Sequence, residues 1–195
     1  MSQASSKEQI IAIAQELLAR DGLEQVSFDA IARMWGRSKQ AVLYWYPTKQ
    51  ALLAALFLPA LTAEAEAVER ALLSEFSESE AIAAFVKAMC AFHLSDLPRF
   101  RMMYLAPQLT KTETADLGTD LLESVHLTTA RTYAALAMRL DGEPEVARQR
   151  AVAIHASVLG LLLMHGLAEH LRDPLKYGVE TLADALITSL TPKVP

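Results

Sequence analysis

The chain has 195 residues, of which 52% are hydrophobic, and a formal net charge of −5. This length and composition predict one or two folded, helix-rich domains with a sizeable core and exclude a disordered chain. The single cysteine, Cys90, cannot form an internal disulfide, and the N-terminal residues lack the order of a signal peptide, so we expect a cytoplasmic protein.

The longest apolar segment lies near residues 152–168 and is interrupted by His155, Ser157 and His165. Its length is at or below that of a membrane span, so we interpret it as a buried helix and expect no membrane partner. Charge is divided unevenly: residues 1–50 carry six Lys/Arg and five Asp/Glu, whereas residues 51–195 carry twelve and eighteen. The N-terminal part is only mildly basic, so any contact of it with phosphates would depend on the placement of individual charges rather than on a strong overall field.

The first fifty residues predict three short helices. Ser5 and Glu8 form a capping box before an amphipathic stripe from Ile10 to Leu18, which Gly22 ends. Ser27 caps a second helix with an apolar face, and Gly36 supplies a corner, since glycine takes a positive φ at no steric cost. A third helix follows Ser38 and ends at 44–46, before Pro47. A helix, a glycine turn and a second helix in this order are typical of the DNA-binding helix-turn-helix.

The rest of the chain predicts further helices and no strands. A fourth helix starts at Lys49, should kink or break at Pro59, and continues to about Phe76. Others are expected at 78–94, at 99–105 with a stop at Pro107, from Thr112 to Leu140, at 144–172 and at 175–190. We therefore predict an all-α protein of about nine helices: an N-terminal three-helix helix-turn-helix DNA-binding head and a larger helical body.

The residues of the corner carry a family resemblance. The pattern S-x-x-x-I-A, then W-G-x-S, then Y-W-Y-P-x-K-x-x-L resembles the tetracycline-repressor (TetR) family of bacterial transcription regulators. Three features depart from the family pattern: the corner is Trp35-Gly36-Arg37, Leu43 replaces a tyrosine, and Trp45-Tyr46 replaces a His-Phe pair. The resemblance implies that residues 1–48 form the DNA-binding domain and residues 49–195 an effector-binding and dimerisation domain.

The resemblance also implies which residues contact DNA. Ser27, Tyr44 and Lys49 match family positions that touch phosphate. Ser38, Lys39 and Gln40 open the recognition helix and are placed to reach base edges, where Gln pairs with adenine and Lys donates to guanine. Trp45 is expected at a thymine methyl or sugar. Arg37 stands where the family keeps an apolar residue, and we expect it to point outward to a phosphate. For each residue, an ordinary exposed or core side chain is the alternative.

Two further sets of residues are predicted in the body. Aromatic, Met and His residues at helical spacing could line a pocket for a small, mostly apolar effector, or simply form core. They are Phe85, Met89, Phe92, His93, Met102, Met103, Tyr104, His126, Tyr133 and His155. The C-terminal helices are apolar, which favours an interface between two identical subunits over a buried core, because a helix-turn-helix dimer reads two half-sites. The predicted residues of this dimer interface, or dimer seam, are Ala156, Gly160, Leu163, Leu167, Leu182 and Leu186.

Catalysis is disfavoured by the motifs. Glu123 and His126 form one E-x-x-H, but helical di-iron sites need a second copy and two more glutamates. The histidines lack zinc-site spacing, so we expect no metal and no cofactor. The leading interpretation is a regulator, and more specifically a repressor, released from a pseudo-palindromic operator by its effector. The alternative is a helical small-molecule-binding or enzymatic protein whose head has lost DNA binding.

Overall fold

The computed structural model describes residues 5–74, 77–105, 119–173 and 177–191. Within these ranges nine α-helices form, with a 3-10 turn at Leu23–Gln25 and a π-helical turn at Arg101–Leu105. The helices are α1 (Ser6–Asp21), α2 (Phe28–Trp35), α3 (Lys39–Trp45), α4 (Lys49–Ala71), α5 (Glu78–Leu94), α6 (Leu97–Phe100), α7 (Thr119–Ala137), α8 (Pro144–Leu171) and α9 (Val179–Leu190). The predicted all-α class is confirmed.

Several boundaries differ from the sequence-based ones. Helix α4 runs through Pro59 without a break, although proline removes one backbone donor there. Helix α9 starts at Val179 rather than near 175. The predicted stop at Pro107 and start at Thr112 lie outside the described residues.

Serine caps fix the starts of the helices that the sequence marks most clearly. The Ser5 amide donates to Glu8 Oε2 at 2.7 Å, and the Ser77 amide donates to Glu80 Oε2 at 2.9 Å. Both serine hydroxyls accept the amide of the third helical residue in return, which completes two capping boxes. These helices begin where they do because each cap satisfies donors that the first turn leaves open.

The chain packs as two compact units. Unit one comprises Met1–Thr62 with Pro98–Leu127, and unit two comprises Ala63–Leu97 with Thr128–Pro195. The domain division at residue 48, expected from the resemblance, stays a prediction.

Unit one contains the three-helix head. Ile10 of α1, Ile31 of α2 and Val42 of α3 are each fully buried. Leu52 and Leu56, on the first turns of α4, are buried as well. This apolar interior holds α2 and α3 at the glycine corner, so the outward side of α3 presents its polar residues to solvent.

Unit two is built around α5, α8 and α9, which pack on one another. Phe85, Met89, Val158 and Leu162 are fully buried in it. An ion pair joins α5 to α8, because the Arg150 guanidinium donates to Glu78 Oε1 at 2.6 Å.

Two described helices have the dimensions of membrane spans. By length and composition, Lys49–Ala71 and Pro144–Leu171 could each cross a bilayer, and so could α5 with residues 97–105 if that bent pair is taken as one segment. The expectation that the 152–168 segment is too short therefore does not hold for α8, because the helix extends beyond the apolar run at both ends. Much of its apolar surface is open, since 28% of the most apolar stretch is buried within the chain.

Candidate DNA-binding surface and interior polar cluster

The corner between α2 and α3 has the geometry that the sequence predicts. Gly36 has φ +69° and ψ 30°, the left-handed region that favours glycine. The Arg37 amide donates to Ala32 O at 3.0 Å, which closes the end of α2. The unusual Trp35 is accommodated, because its indole Nε1 donates to Gln9 Oε1 of α1 at 2.7 Å.

Helix α3 separates an inner face from an outer one. Val42 is buried, and Tyr46 directly after the helix is buried too, which raises the pKa of its phenol. Lys39, Gln40 and Tyr44 are exposed, Tyr44 to 77%. We call these three residues the recognition face. Its side chains are donors and acceptors of the kinds that read base edges and phosphates.

The residues predicted to contact DNA all lie in unit one. Arg37, Ser38, Lys39, Gln40, Tyr44 and Trp45 are exposed, whereas Ser27 and Lys49 are half-buried. The Ser27 and Ser38 hydroxyls accept the amides of Ala30 and Ala41 as helix caps. Their O–H groups can still donate to a phosphate, so capping and DNA contact are compatible.

Lys49 opens α4 and is partly desolvated, and this burial lowers the pKa of its ammonium. The preceding Thr48 accepts the Ala51 amide at 3.1 Å and so caps α4. The phosphate contact of Lys49 stays a prediction.

Sequence reasoning missed two charged residues of this surface, Asp29 and Lys7. Lys39 Nζ lies 2.8 Å from Asp29 Oδ2 of α2, and Lys7 Nζ lies 5.9 Å from the Trp45 ring centroid. The Tyr44 ring meets Trp45 edge-on at 5.0 Å. The sequence contains no signal for these pairs, because packing of α1, α2 and α3 creates them.

A group of buried polar side chains lies inside unit two. Glu64 of α4 approaches two imidazoles: Oε2 lies 3.0 Å from His93 Nε2, and Oε1 lies 4.0 Å from His155 Nε2. The His155 ring centroid is 5.5 Å from that of Tyr133 on α7. We call Glu64, His93, Tyr133 and His155 the interior cluster. Sequence reasoning missed Glu64, which looked like one more charge on an Ala/Glu-rich helix.

Burial sets the protonation tendencies within the interior cluster. Desolvation lowers the pKa of His155, with the Glu64 carboxylate opposing that shift. Burial, followed by the charge of Glu64, raises the pKa of the Tyr133 phenol. Both residues therefore favour their neutral forms, because charge is costly where water is excluded.

The predicted pocket residues are divided between the two units. Phe85, Met89, Phe92, His93, Tyr133 and His155 lie in unit two, and Met102, Met103, Tyr104 and His126 lie in unit one. In unit two, Phe85, Met89, His93 and His155 are buried and Phe92 is half-buried, whereas His126 of unit one is exposed.

The predicted dimer residues of α8 face solvent in the single chain. Ala156, Gly160, Leu163 and Leu167 are all exposed, and Leu182 and Leu186 of α9 are half-buried. Met164, beside them, is 61% exposed. A Cβ placed on Gly160 would meet no atom within 4 Å, so none of the described helices of the same chain packs closely against this glycine.

The E-x-x-H motif is not part of a metal cluster in the described structure. Glu123 and His126 are both exposed on α7. Across the ranges that the structure describes, no three or more His, Cys, Asp or Glu side chains are grouped to hold a metal ion.

The fold and the corner define a helix-turn-helix protein with a larger all-helical body. Residues 10–56 match the family model of bacterial regulatory proteins, tetR family. Residues 10–56 of this chain therefore contain the region that the tetR family model describes. A comparison with curated proteins found no match.

Solved structures support the same fold over nearly the whole chain. The TetR family transcriptional regulator PfmR from Thermus thermophilus is similar, with a TM-score of 0.71 at 17% identity, covering 99% of each chain. FadR from Bacillus subtilis, solved with stearoyl-CoA, has a TM-score of 0.67 at 16% identity, covering 93% of this chain and 96% of its own. The multidrug binding protein EbrR, solved with imidazole, has a TM-score of 0.67 at 19% identity, covering 99% and 98%.

Proposed function

We propose that this protein is a cytoplasmic, homodimeric transcription repressor that leaves a pseudo-palindromic operator when a small molecule binds its body. The observation that carries the proposal is the recognition face, three exposed polar residues on α3, the second helix of the helix-turn-helix in a tetR-type head. In this reading Gln40 and Lys39 contact base edges, while Tyr44 and Lys49 contact phosphates.

The homodimer is supported by the exposed apolar side of α8. Leu163, Met164 and Leu167 are exposed to 44%, 61% and 47%, which is costly for apolar side chains in water. A second copy packing there would bury them, and Gly160 would let the two helices approach closely. The same pairing accounts for the high hydropathy of α8 without a membrane.

An effector site in the body is supported by the interior of unit two and by two similar structures. FadR was solved with stearoyl-CoA and EbrR with imidazole. In this chain the apolar Phe85 and Met89 share the interior with the interior cluster. A site of that composition takes a mostly apolar molecule with a few polar contacts.

The proposed mechanism has two states. Helix α4 begins at the predicted phosphate contact Lys49 and includes Glu64 of the interior cluster. An effector that binds one arrangement of α4 more tightly favours it at the expense of the DNA-binding arrangement. The coupling is reciprocal, so operator DNA must weaken effector binding by the same factor.

Tryptophan fluorescence tests this proposal in the full-length dimer. Both tryptophans, Trp35 and Trp45, lie in the head. DNA from upstream of the protein's own gene should change the emission, and an effector should return it toward that of the free protein. If that DNA and a random duplex bind equally weakly in a gel shift, the head does not regulate transcription. If a tightly bound body ligand leaves DNA affinity unchanged, the release mechanism is wrong.

A further inference from the structure

The first turn of α1 carries a cation that the stability of the helix does not explain. Lys7 is the second residue of α1 and is exposed. The first turn of a helix is the positive end of its dipole, so a lysine there opposes the dipole and a carboxylate supports it. Glu8 fills the favourable role, because its Oε2 accepts the Ser5 amide at 2.7 Å. Lys7 is therefore a candidate for a contact outside its own helix.

The Lys7 side chain reaches from α1 to α3, the helix on which α1 packs. Lys7 Nζ lies 5.9 Å from the centroid of the Trp45 ring, within the range of a cation–π contact. Tryptophan is the strongest aromatic partner for a cation. Trp45 is 37% exposed, so the two side chains meet at the solvent boundary. The contact limits the directions in which an otherwise flexible lysine points.

Trp45 joins Lys7 to the recognition face. The Tyr44 ring meets Trp45 edge-on with centroids 5.0 Å apart, and Tyr44 is 77% exposed. Lys7, Trp45 and Tyr44 thus form a continuous row from the start of α1 to the end of α3, all within unit one. Tyr44 is proposed to contact a phosphate. An ammonium further along the same row would meet the same sugar–phosphate backbone.

Lys7 differs from two other cations of unit one. The Lys39 ammonium lies 2.8 Å from Asp29, and the Arg20 guanidinium lies 2.7 Å from Asp21. Both of those charges are partly offset by a carboxylate. The partner that the structure gives the Lys7 ammonium is a neutral ring. An aromatic ring attracts the ammonium without neutralising it, so the charge stays available to a phosphate.

We infer that Lys7 contacts a phosphate of the DNA backbone near the one proposed for Tyr44, and that Trp45 positions its ammonium. The contact is ionic and independent of sequence, because an ammonium meets a phosphate as a point charge. Lys7 therefore adds affinity rather than base preference, and it extends the DNA-binding surface from the helix-turn-helix to α1. The inference rests on the proposed function, since it adds a residue to the same surface.

Fluorescence anisotropy of full-length K7A over a series of salt concentrations tests the inference, with DNA from upstream of the protein's own gene and with a random duplex. Each phosphate contact contributes about 0.9 to the slope of log K against log salt concentration, and the proposed dimer carries two copies of Lys7. K7A should therefore lower the slope by about 1.8 and weaken binding about ten-fold or more at about 0.1 M salt. The ratio of upstream to random affinity should stay within about two-fold.

The matched control is R20A, which removes one cation about 20 Å further along the same helix. Arg20 is paired with Asp21, so R20A should leave the salt slope unchanged. K7R keeps the charge and can stack on Trp45, so it should restore most of the lost affinity. In a W45L background, K7A should cost less than in the wild-type protein, because Lys7 has already lost the ring that positions it.

The inference is wrong if K7A keeps the wild-type salt slope, if it loses affinity for the upstream DNA alone, or if K7R binds no better than K7A. Equal costs of K7A in the wild-type and W45L backgrounds would overturn the positioning by Trp45. The random duplex separates this inference from the proposed function. If the wild-type protein binds both duplexes equally and K7A still lowers the slope, the phosphate contact stands and the repressor role is wrong. If the wild-type protein binds neither duplex, both are wrong.

Discussion

The Lys39 ammonium, at the start of α3, lies 2.8 Å from the Asp29 carboxylate of α2. Both side chains are largely exposed, Lys39 to 46% and Asp29 to 64%. In the DNA-free head, the cation predicted to donate to guanine is thus already paired. An exposed pair of this kind contributes little to stability, roughly 0–1 kcal/mol, but it changes the charge that DNA meets.

We predict that D29N increases affinity for random DNA several-fold and steepens its salt dependence by about one phosphate contact. The reason is that Asp29 occupies Lys39 and repels phosphates wherever no base contact compensates. Operator affinity should rise less, so the ratio of operator to random binding should fall. Fluorescence anisotropy over a series of salt concentrations measures both.

E16Q is the control for D29N, since the Glu16 side chain of α1 is 61% exposed and the variant changes the net charge equally. E16Q should leave the ratio of operator affinity to random-DNA affinity unchanged. In a K39A background the effect of D29N should shrink, because the two residues act as a pair. A D29N protein that loses operator and random affinity equally would show that Asp29 supports the fold of the head instead.

Gln40 is predicted to read a base, since it is exposed on the recognition face. Q40A should relax the preference at one operator position, at a cost of about 1–3 kcal/mol there. Selection from a randomised duplex library reports the preference profile.

K49A is the comparison, because Lys49 is predicted to contact only phosphate. K49A should weaken binding to all DNA sequences alike and lower the salt dependence of binding. An unchanged base-preference profile in Q40A would show that Gln40 does not contact a base.

Gly160 is predicted to lie in the dimer seam. G160E should give folded monomers that bind the operator weakly, because the new side chain has open space in its own chain but would bring a charge into the interface. Loss of the second subunit also removes the gain in DNA affinity that comes from binding two linked half-sites. Sedimentation and anisotropy measure both, with A91E on the exposed side of α5 as control. Dimers of G160E that bind normally would place the seam elsewhere.

The ion pair of Arg150 and Glu78 predicts a pH-dependent contribution to the stability of unit two. Hydrogen bonds from Arg150 hold the pKa of Glu78 below its usual 4.5, with a further contribution from the Asp141 amide. The native state therefore binds fewer protons, so this contribution is full above the unfolded-state pKa and is lost as pH falls toward the native one. R150A should lower the free energy of unfolding by about 1.5–3 kcal/mol at pH 7.

Urea unfolding at pH 7 and in steps below pH 4.5 measures this difference, which should narrow as Glu78 takes up its proton. R131A is the matched control, because its partner Glu69 is more exposed, 36% against 8% for Glu78. R131A should lower the free energy of unfolding by no more than about 1 kcal/mol. Equal costs for the two variants would mean that burial does not strengthen the Glu78 pair.

The sequence predicted the parts of this protein that are decided locally. Glycine at Gly36 fixes the corner because its φ of +69° is available to few other residues. The capping boxes at Ser5 and Ser77 each involve residues three apart in the sequence, so the starts of these helices could be predicted from residues that are close in sequence. Helix ends were predicted less well: α4 was expected to continue to about Phe76, but it ends at Ala71.

The sequence by itself determined the helical class, the order of the helices and the helix-turn-helix, because caps, glycine turns and apolar spacing act within a few residues. Only the tertiary structure decided which charges meet. Asp29 faces Lys39 because α2 and α3 cross at the corner, and Glu78 meets Arg150 across 72 residues of chain because α5 packs on α8. Glu64 lies beside two imidazoles for the same reason, because its contacts with His93 of α5 and His155 of α8 depend on the packing of those helices.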